Sequence, residues 1–366
     1  APRHRVAALN AAMTTAAMPD SGASRATALV CPACRRLDAS GALVIGALDG
    51  SGRCDDCGRQ HRVVRVAGAE ITIVLRHDDA DAHAMTERAM AWIASGPTPT
   101  SVPRLDEAAF VDSGLVWAGT DYGPRIEPAC ALPAAPWLTE WLAASTPSPA
   151  SLRGLAPKTL ILGAGAGGVV LDFAASGADL DDEIIAVDAS PWGIAVGAML
   201  GAGARALPVA SEPGVRSWWP NPLDGRQRAR LAATRWLLAD ALDPPFAADA
   251  FDRVLALNLV DSVADPWLLM GQIAALLRPG GRVLITTPWC LTEAVTPRAL
   301  WPTTAFRAAL PDASQLDAAV AWLEGSVNGD WDLFCVKAET GLLWSVRSHA
   351  RMTTHYAVDA VLLQKP

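Results

Sequence analysis

Tyrosine is scarce in this chain of 366 residues: there are 2, against 14 tryptophans. The phenol of Tyr122 is therefore one of few able to orient a ligand, although ordinary packing is the plainer account of it. No run of 18 or more uncharged apolar residues occurs, which excludes a membrane-spanning helix by length. The first 27 residues lack a continuous hydrophobic stretch and are rich in Ala, Ser and Thr. They read as a disordered leader rather than a signal peptide, so a cytoplasmic location is expected by default. A surplus of positive charge is also missing, since 30 Lys and Arg face 38 Asp and Glu, a net charge of −8. Residues 1–76 alone run the other way, with ten Arg and six acids, leaving 20 basic and 32 acidic residues beyond them. An acidic body without a basic stripe disfavours a nucleic-acid partner, and the N-terminal arginines read as a solvated face.

The length suits two domains, or one large domain with a small module. Residues Thr159 to Asp188 read as an apolar strand, a glycine-rich turn, a helix and a second apolar strand ending in an acid. Gly163, Gly165, Gly167 and Gly168 allow a tight turn and close approach of a ligand to the backbone. Asp188 is placed to accept hydrogen bonds from a ribose. The same spacing satisfies G-x-G-x-x-G, so this segment alone also admits a nicotinamide or flavin dinucleotide.

The segments beyond Asp188 narrow the choice. A third strand near Trp236 ends in Asp240-Ala241, and residues 251–289 run through a fourth strand ending in Asn258, a helix that starts at Asp265-Pro266, runs into Arg-Pro-Gly-Gly and is expected to exit at Gly280-Gly281, and a fifth strand. This succession resembles the class I S-adenosylmethionine-dependent methyltransferases. The resemblance implies an α/β fold, a Rossmann-like sheet of seven strands, over residues 158–366. It implies that Gly163, Gly165 and Gly167 line the methionine part of the cofactor, that Asp188 holds the ribose and that Asp240 with Ala241 faces the adenine. Asn258 would lie beside the transferable methyl. One departure is that Ile161 stands where an acid often precedes the first glycine. Strands six and seven are predicted near Asp332–Lys337 and Thr354–Leu363, the latter from its alternation.

Four of the seven cysteines, Cys31, Cys34, Cys54 and Cys57, form C-x2-C-x19-C-x2-C. That spacing fits a zinc site of two knuckles, and four protein thiolates leave no open position, so the metal is expected to be structural. Disulfides or a redox pair are the competing readings. Residues 28–76 also resemble the zinc-ribbon activator subunit of tRNA and release-factor methyltransferases. His61 is expected at the surface or behind the ligands. Cys130 and Cys335 read as small buried hydrophobes, while Cys290, just after strand five, could touch a substrate.

Residues 77–157 form a connecting region or lid. Met85, Ala89, Trp92 and Ile93 lie at helical spacing before Gly96-Pro97, and a Pro-rich stretch, Thr146 to Pro157, marks the boundary. An insertion near 205–233 carries Trp218-Trp219, expected to pack, and Arg226, Arg228 and Arg230, expected as a solvated face.

The acceptor is less legible. Strand four ends in Asn258-Leu259-Val260-Asp261, without the Pro-Pro-Tyr common where amide or adenine nitrogens are methylated. The C-terminal third resembles the methyltransferase half of ovothiol-forming enzymes, through Asn258, Asp261, Pro288-Trp289, Arg347 and Arg351. That resemblance implies a small acceptor with a nitrogen or sulfur nucleophile. His349 and His355 are candidate bases, then Asp261, and Tyr122 a candidate orienting group. Arg347 or Arg351 could hold a substrate carboxylate, with Trp289 beside it. Methylation of a protein or tRNA through the ribbon, and a silent cofactor-binding regulator, are the rival functions; a homo-oligomer is open.

Overall fold

The computed structural model describes residues 27–34, 36–37, 43–44, 46–75, 80–96, 116, 118, 120–122, 135–147, 156–176, 182–212, 215–329, 331–349 and 351–366. Residues 1–26 of the expected leader, Cys130 and most of 97–157 fall outside them.

Between the two cysteine knuckles, β1 (Arg36–Leu37) and β2 (Leu43–Val44) pair antiparallel. Next, β3 (Arg62–Val66) and β4 (Ala69–Ile73) form a hairpin whose turn residues, Ala67 and Gly68, have φ of 49° and 87°. Two consecutive positive φ values match the right-handed twist of the strands. Helix α1 (Ala80–Ser95) stops at Gly96, φ 68°, as its sequence predicts. Helix α2 is Leu138–Ala144.

Strand and helix then alternate through β5 (Lys158–Leu162), α3 (Gly168–Ala175), β6 (Glu183–Asp188) and α4 (Pro191–Gly201). The insertion is a hairpin, β7 (Ala206–Glu212) with β8 (Val215–Pro220), followed by α5 (Gly225–Ala233). The order continues with β9 (Arg235–Leu238), β10 (Phe251–Leu257), α6 (Pro266–Leu276) and β11 (Leu277–Thr287). Helices α7 (Pro302–Ala309) and α8 (Gln315–Leu323) precede β12 (Phe334–His349) and β13 (Met352–Gln364).

These strands form one sheet in the order β12-β13-β11-β10-β5-β6-β9-β4-β3. Seven of the nine are the strands expected from the sequence. The other two belong to the cysteine-bearing segment: β4 runs parallel to β9, Ile73 opposite Leu238, and the Val74 amide donates to the Leu238 carbonyl at 3.0 Å. The strand order reverses between β5 and β10, and it is at such a switch, beyond the carboxyl ends of the strands, that α/β sheets bind ligands.

Central strands are buried on both faces, which is why Leu160–Leu162 of β5, Ile184–Val187 of β6 and Val254–Leu257 of β10 read as continuous apolar runs instead of alternating. One layer of core packs Met90, Trp92, Phe173 and Trp192 from α1, α3 and α4 on the sheet, and the other packs Leu269, Met270, Ile273 and Trp322 from α6 and α8. Each such fully buried apolar side chain contributes roughly 1.5–3 kcal/mol.

Three local expectations change. Helix α6 begins as predicted, with Asp265 accepting from the Trp267 and Leu268 amides, but it ends at Leu276, before Arg278-Pro279-Gly280-Gly281. Pro279 disfavours helical backbone at Arg278, and the next residues join β11. Arg230 is not solvated: it is 1% exposed and donates to the Asp182 carbonyl at 3.2 Å, so the arginine run has one member facing inward. Finally, β12 and β13 are much longer than their predicted cores. The ladder between β11 and β13 stops at Thr287 opposite Asp359, while β12 and β13 stay paired as far as His349 opposite Met352. Residues 340–349 and 352–358 thus project as a two-stranded arm past the carboxyl end of the sheet.

Among the described residues, no helix is long and apolar enough to cross a membrane.

Candidate functional site

The chain turns out of β5 with Gly163 and Gly165 at φ of 70° and 55°, and Gly167 caps α3 at φ 93°. Backbone of this kind is cheap only for glycine. The loop is held from beneath by Asp188 at the end of β6. Its carboxylate accepts from the Gly165 amide and from the Ser190 amide, each at 2.7 Å. Burial pushes the Asp188 carboxyl up, against the opposing pull of those two amides.

Around this loop lies a cleft of about 670 Å³. Gly163, Gly165 and Asp188 line it together with Asp240, Ala241 and Asn258, all of them residues that the sequence pattern singles out. Asn258 is held at φ 52°, its amide oxygen accepting from the Thr286 hydroxyl at 2.8 Å. Gly167 is the exception. It lies beneath the loop, where a Cβ would come within 2.6 Å of the Trp236 ring, so its role is close packing.

The roof of the cleft comes from parts of the chain that the motif does not include. Thr120 and Asp121 of the connecting region, Leu138 at the start of α2, and Trp344 of the β12–β13 arm all line it. These pieces are tied together. Thr120 Oγ1 accepts from the Arg347 amide at 3.0 Å, Trp137 Nε1 donates to the Leu343 carbonyl at 2.8 Å, and Tyr122 donates to the Ala166 carbonyl at 2.9 Å. Asp121 accepts from the Gly168 amide at 2.9 Å, at the first turn of α3.

Four carboxylates, Asp121, Asp172, Asp188 and Asp240, line the cleft, with no Lys, Arg or His among its described lining residues. Such a lining attracts cations and repels phosphates. The helix N-terminus where a dinucleotide would seat its pyrophosphate is taken by the Asp121 carboxylate.

Several predicted substrate and catalytic residues are not brought to the cleft. Tyr122 is fully buried with its hydroxyl engaged, so it packs behind the loop. His355 lies opposite Ser345 in the arm, bonded to its hydroxyl at 2.9 Å, whereas the adjacent pair, Trp344 opposite Tyr356, belongs to the other face. Because side chains alternate along a strand, His355 points away from the face that Trp344 turns to the cleft. His349 accepts from the Arg351 amide at 3.2 Å near the tip of the arm. The Arg347 guanidinium lies 5.1 Å from the centre of the Trp219 ring, and Arg351 is exposed at the arm's tip. Trp289 donates to Asp359 at 2.7 Å and packs edge-on against Phe306 and Trp322. Asp261 is 7% exposed and accepts from the Cys290 amide at 2.9 Å; burial pushes its carboxyl up. Cys290 is exposed but does not line the cleft, and Cys335 is only half-buried.

The four N-terminal cysteines meet as their spacing predicts, all sulfurs lying within 4.8 Å of one another. Two turns shape the knuckles: the Cys34 amide donates to the Cys31 carbonyl at 3.2 Å, and the Gly58 amide to the Cys54 carbonyl at 3.0 Å. Ideal tetrahedral zinc, with Zn–S of about 2.3 Å, sets sulfurs about 3.8 Å apart. Here Cys31 and Cys57 are 4.0 Å apart and Cys34 and Cys54 3.4 Å, so the set fits that ion. Burial pushes the Cys34 thiol up, while hydrogen bonding from Cys34 brings Cys57 down to about 7. His61 Nε2 lies 3.2 Å from Cys31 Sγ, behind the set, where it can orient that sulfur.

Residues 143–322 match the model of a family described as a methyltransferase domain. No curated protein matches the chain. Among solved structures, the chain resembles an S-adenosylmethionine-dependent methyltransferase from Methanosarcina mazei, at 14% identity and TM-score 0.34, over 60% of this chain and 97% of that one. It also resembles an O-methyltransferase family 2 protein from Planctomyces limnophilus, in complex with apigenin, at 17% identity and TM-score 0.38, over 76% and 66%. A third likeness is to the [4+2]-cyclase SpnF, at 15% identity and TM-score 0.37, over 69% and 96%. Residues 143–322 thus form a methyltransferase domain, and most of the residues lining the glycine-loop cleft lie within it.

Proposed function

We propose that the chain transfers the methyl group of S-adenosylmethionine to a nitrogen or sulfur nucleophile of a small molecule, in the cytoplasm, with a structural zinc ribbon at its N-terminus. The observation that carries the choice of cofactor is Asp121 on the Gly168 amide. A carboxylate at the start of α3 disfavours the two negative charges of a dinucleotide pyrophosphate, and with Asp172 it offers counter-charge to an α-ammonium group. The sulfonium cofactor carries a net positive charge and suits a cleft lined by four carboxylates.

In this reading Asp188 takes the ribose hydroxyls and Asp240 with Ala241 borders the adenine. Asn258 and Ser262, at the end of β10, flank the acceptor. When bound, the cofactor supplies an already activated methyl group on sulfur. The chain's own task is then to exclude water and to align the acceptor's lone pair with that carbon, which can account for much of the rate. Leu138 and Trp344 in the roof provide apolar cover, and Asn258 is held stiffly by Thr286. The histidines of the arm lie away from the described lining, so an acceptor that reacts as a thiolate or a free amine, its proton lost to solvent, fits best.

Calorimetric titration of the zinc-loaded protein with S-adenosylmethionine, its demethylated product and NAD tests this, repeated with Asp188→Ala. Binding of the first two, lost in the variant, followed by labelled methyl transfer to thiol or amine amino acids, is expected. Binding of NAD alone, or transfer to RNA or protein but to no small molecule, would overturn it.

A further inference from the structure

At the end of β10 the Asn258 side chain is fixed in one orientation by a count of protons. The Asn258 backbone amide donates to the Thr286 carbonyl at 2.8 Å and to the Thr286 hydroxyl at 3.0 Å. That hydroxyl has one proton of its own, which goes to Asn258 Oδ1 at 2.8 Å. Thr286 is fully buried, and among the described residues its proton has no other acceptor. Turning the Asn258 amide over would leave that buried donor unmade, so the oxygen stays on the Thr286 side.

The other polar atoms of Asn258 are also engaged, its carbonyl accepting from the Ser262 hydroxyl at 3.2 Å. Nδ2 alone bonds to nothing among the described residues. Because Asn258 lines the cleft, what it offers there is a pair of N–H donors. The backbone that presents them is held at φ 52°, a region that Asn enters more readily than most residues.

A donor pair beside the acceptor selects nucleophiles by their lone pairs. A neutral amine has one, and transfer requires it to point at the methyl carbon, so the amine turns its own N–H groups to Asn258, donor against donor. A thiolate sulfur keeps further lone pairs when one is aimed at the methyl. It accepts from Nδ2 while it reacts, and hydrogen bonds to a charged group are the stronger kind. The four carboxylates of the cleft do not reverse this, since each is assigned to the cofactor, whose positive sulfonium stands next to the nucleophile.

We infer, on the reading that the cleft transfers a methyl group, that the acceptor is a thiol reacting as its thiolate. Asn258 Nδ2 donates to the sulfur, and Thr286 is the positioning residue that keeps the amide turned that way. The thiol proton is lost to water first. The acceptor sulfur then bonds to the methyl carbon as the sulfonium carbon–sulfur bond breaks, and that bond's electron pair stays on the cofactor sulfur. A cation and an anion thus give two neutral thioethers.

The test uses zinc-loaded protein. Calorimetric binding of S-adenosylhomocysteine comes first, and its absence would sink the methyltransferase reading itself. With that ligand saturating, thiophenol and aniline, two probes of one shape, are titrated at a pH where thiophenol is ionised and aniline neutral. Thiophenol is expected to bind at least tenfold more tightly, and to be methylated in preference once S-adenosylmethionine replaces the product. Asn258→Asp keeps an oxygen for Thr286 but has no N–H, and is expected to lose thiophenol by tenfold or more without losing aniline. Thr286→Val is expected to lower the ratio of the two affinities, and Thr286→Ser, which retains the hydroxyl, to restore it; a merely structural role would weaken both probes alike. If thiophenol fails to outbind aniline in a protein that binds S-adenosylhomocysteine, or if the ratio is unchanged in Asn258→Asp, the inference is overturned and the methyltransferase reading stands.

Discussion

The Asp121 carboxylate and the Gly168 amide are 2.9 Å apart, and a Cβ on Gly168 would lie 2.5 Å from the Asp121 carboxyl carbon. The connecting region is therefore seated directly on the first turn of α3, and only glycine at 168 leaves it room. Asp121 supplies a carboxylate to a loop whose own strand carries Ile161 where an acid often stands. The Asp121→Asn variant keeps an oxygen for Gly168 but removes the charge. Its affinity for S-adenosylmethionine is expected to fall about tenfold, near 1.4 kcal/mol, while affinity for methylthioadenosine, which has no ammonium group, stays the same. An equal loss for both ligands would show that Asp121 only supports the loop.

Trp236 closes the space under the glycine loop. A Cβ at Gly197 would run into its ring, and one at Gly167 would approach it to 2.6 Å. Gly197→Ala should destabilise the protein by about 1–3 kcal/mol through overpacking. Trp236→Phe in the same chain should recover part of that loss, because the two sites share one space. Denaturant titration of both single variants and the double variant measures the coupling; strict additivity would refute it.

Zinc should stabilise more than its own ribbon. The hairpin that follows the knuckles is the edge of the main sheet, and β4 pairs with β9, whose end leads to Asp240 in the cleft. One zinc per chain is expected by elemental analysis. Chelation, or Cys54→Ser, should lower the melting temperature by several degrees and also weaken cofactor binding. If melting changes while cofactor affinity does not, the ribbon and the cleft are uncoupled.

Asp261 predicts a pH signature. Burial raises its carboxyl in the folded protein, so the native state holds that proton more tightly than the unfolded chain does. Its contribution to stability is full below the unfolded value and is lost as pH rises through the folded one. In Asp261→Asn this loss is absent, so the melting temperature of the variant minus that of the wild type should increase with pH above about 4 and then level off. Thermal melts across the acid to neutral range would show it, and a difference that falls with pH would contradict the assignment.

Methylation itself was legible because its elements are local. The glycine turn, Asp188 ending β6 and Asp240 ending β9 are each set by the residues within one strand and its turn, and all reach the cleft. The acceptor side was not legible in the same way. Asp121 stands beside Tyr122, which drew attention because tyrosine is rare, yet it is the carboxylate that lines the cleft and the phenol that is buried. The departure at Ile161 was the available signal for an acid supplied from elsewhere. In the arm, alternation alone left the facing of His355 undecided until the pairing of Ser345 with His355 and Trp344 with Tyr356 fixed it.

By itself, then, the amino-acid order determined the strand and helix succession, the positive-φ glycines and the meeting of four cysteines, because propensity, turn chemistry and ligand spacing act over a few residues. Only the tertiary structure decided that the cysteine-bearing hairpin extends the main sheet and that Asp121 and Trp344 roof the glycine-loop cleft. Those relationships join segments far apart in the chain, and they are set by which faces remain to be covered once the sheet has formed.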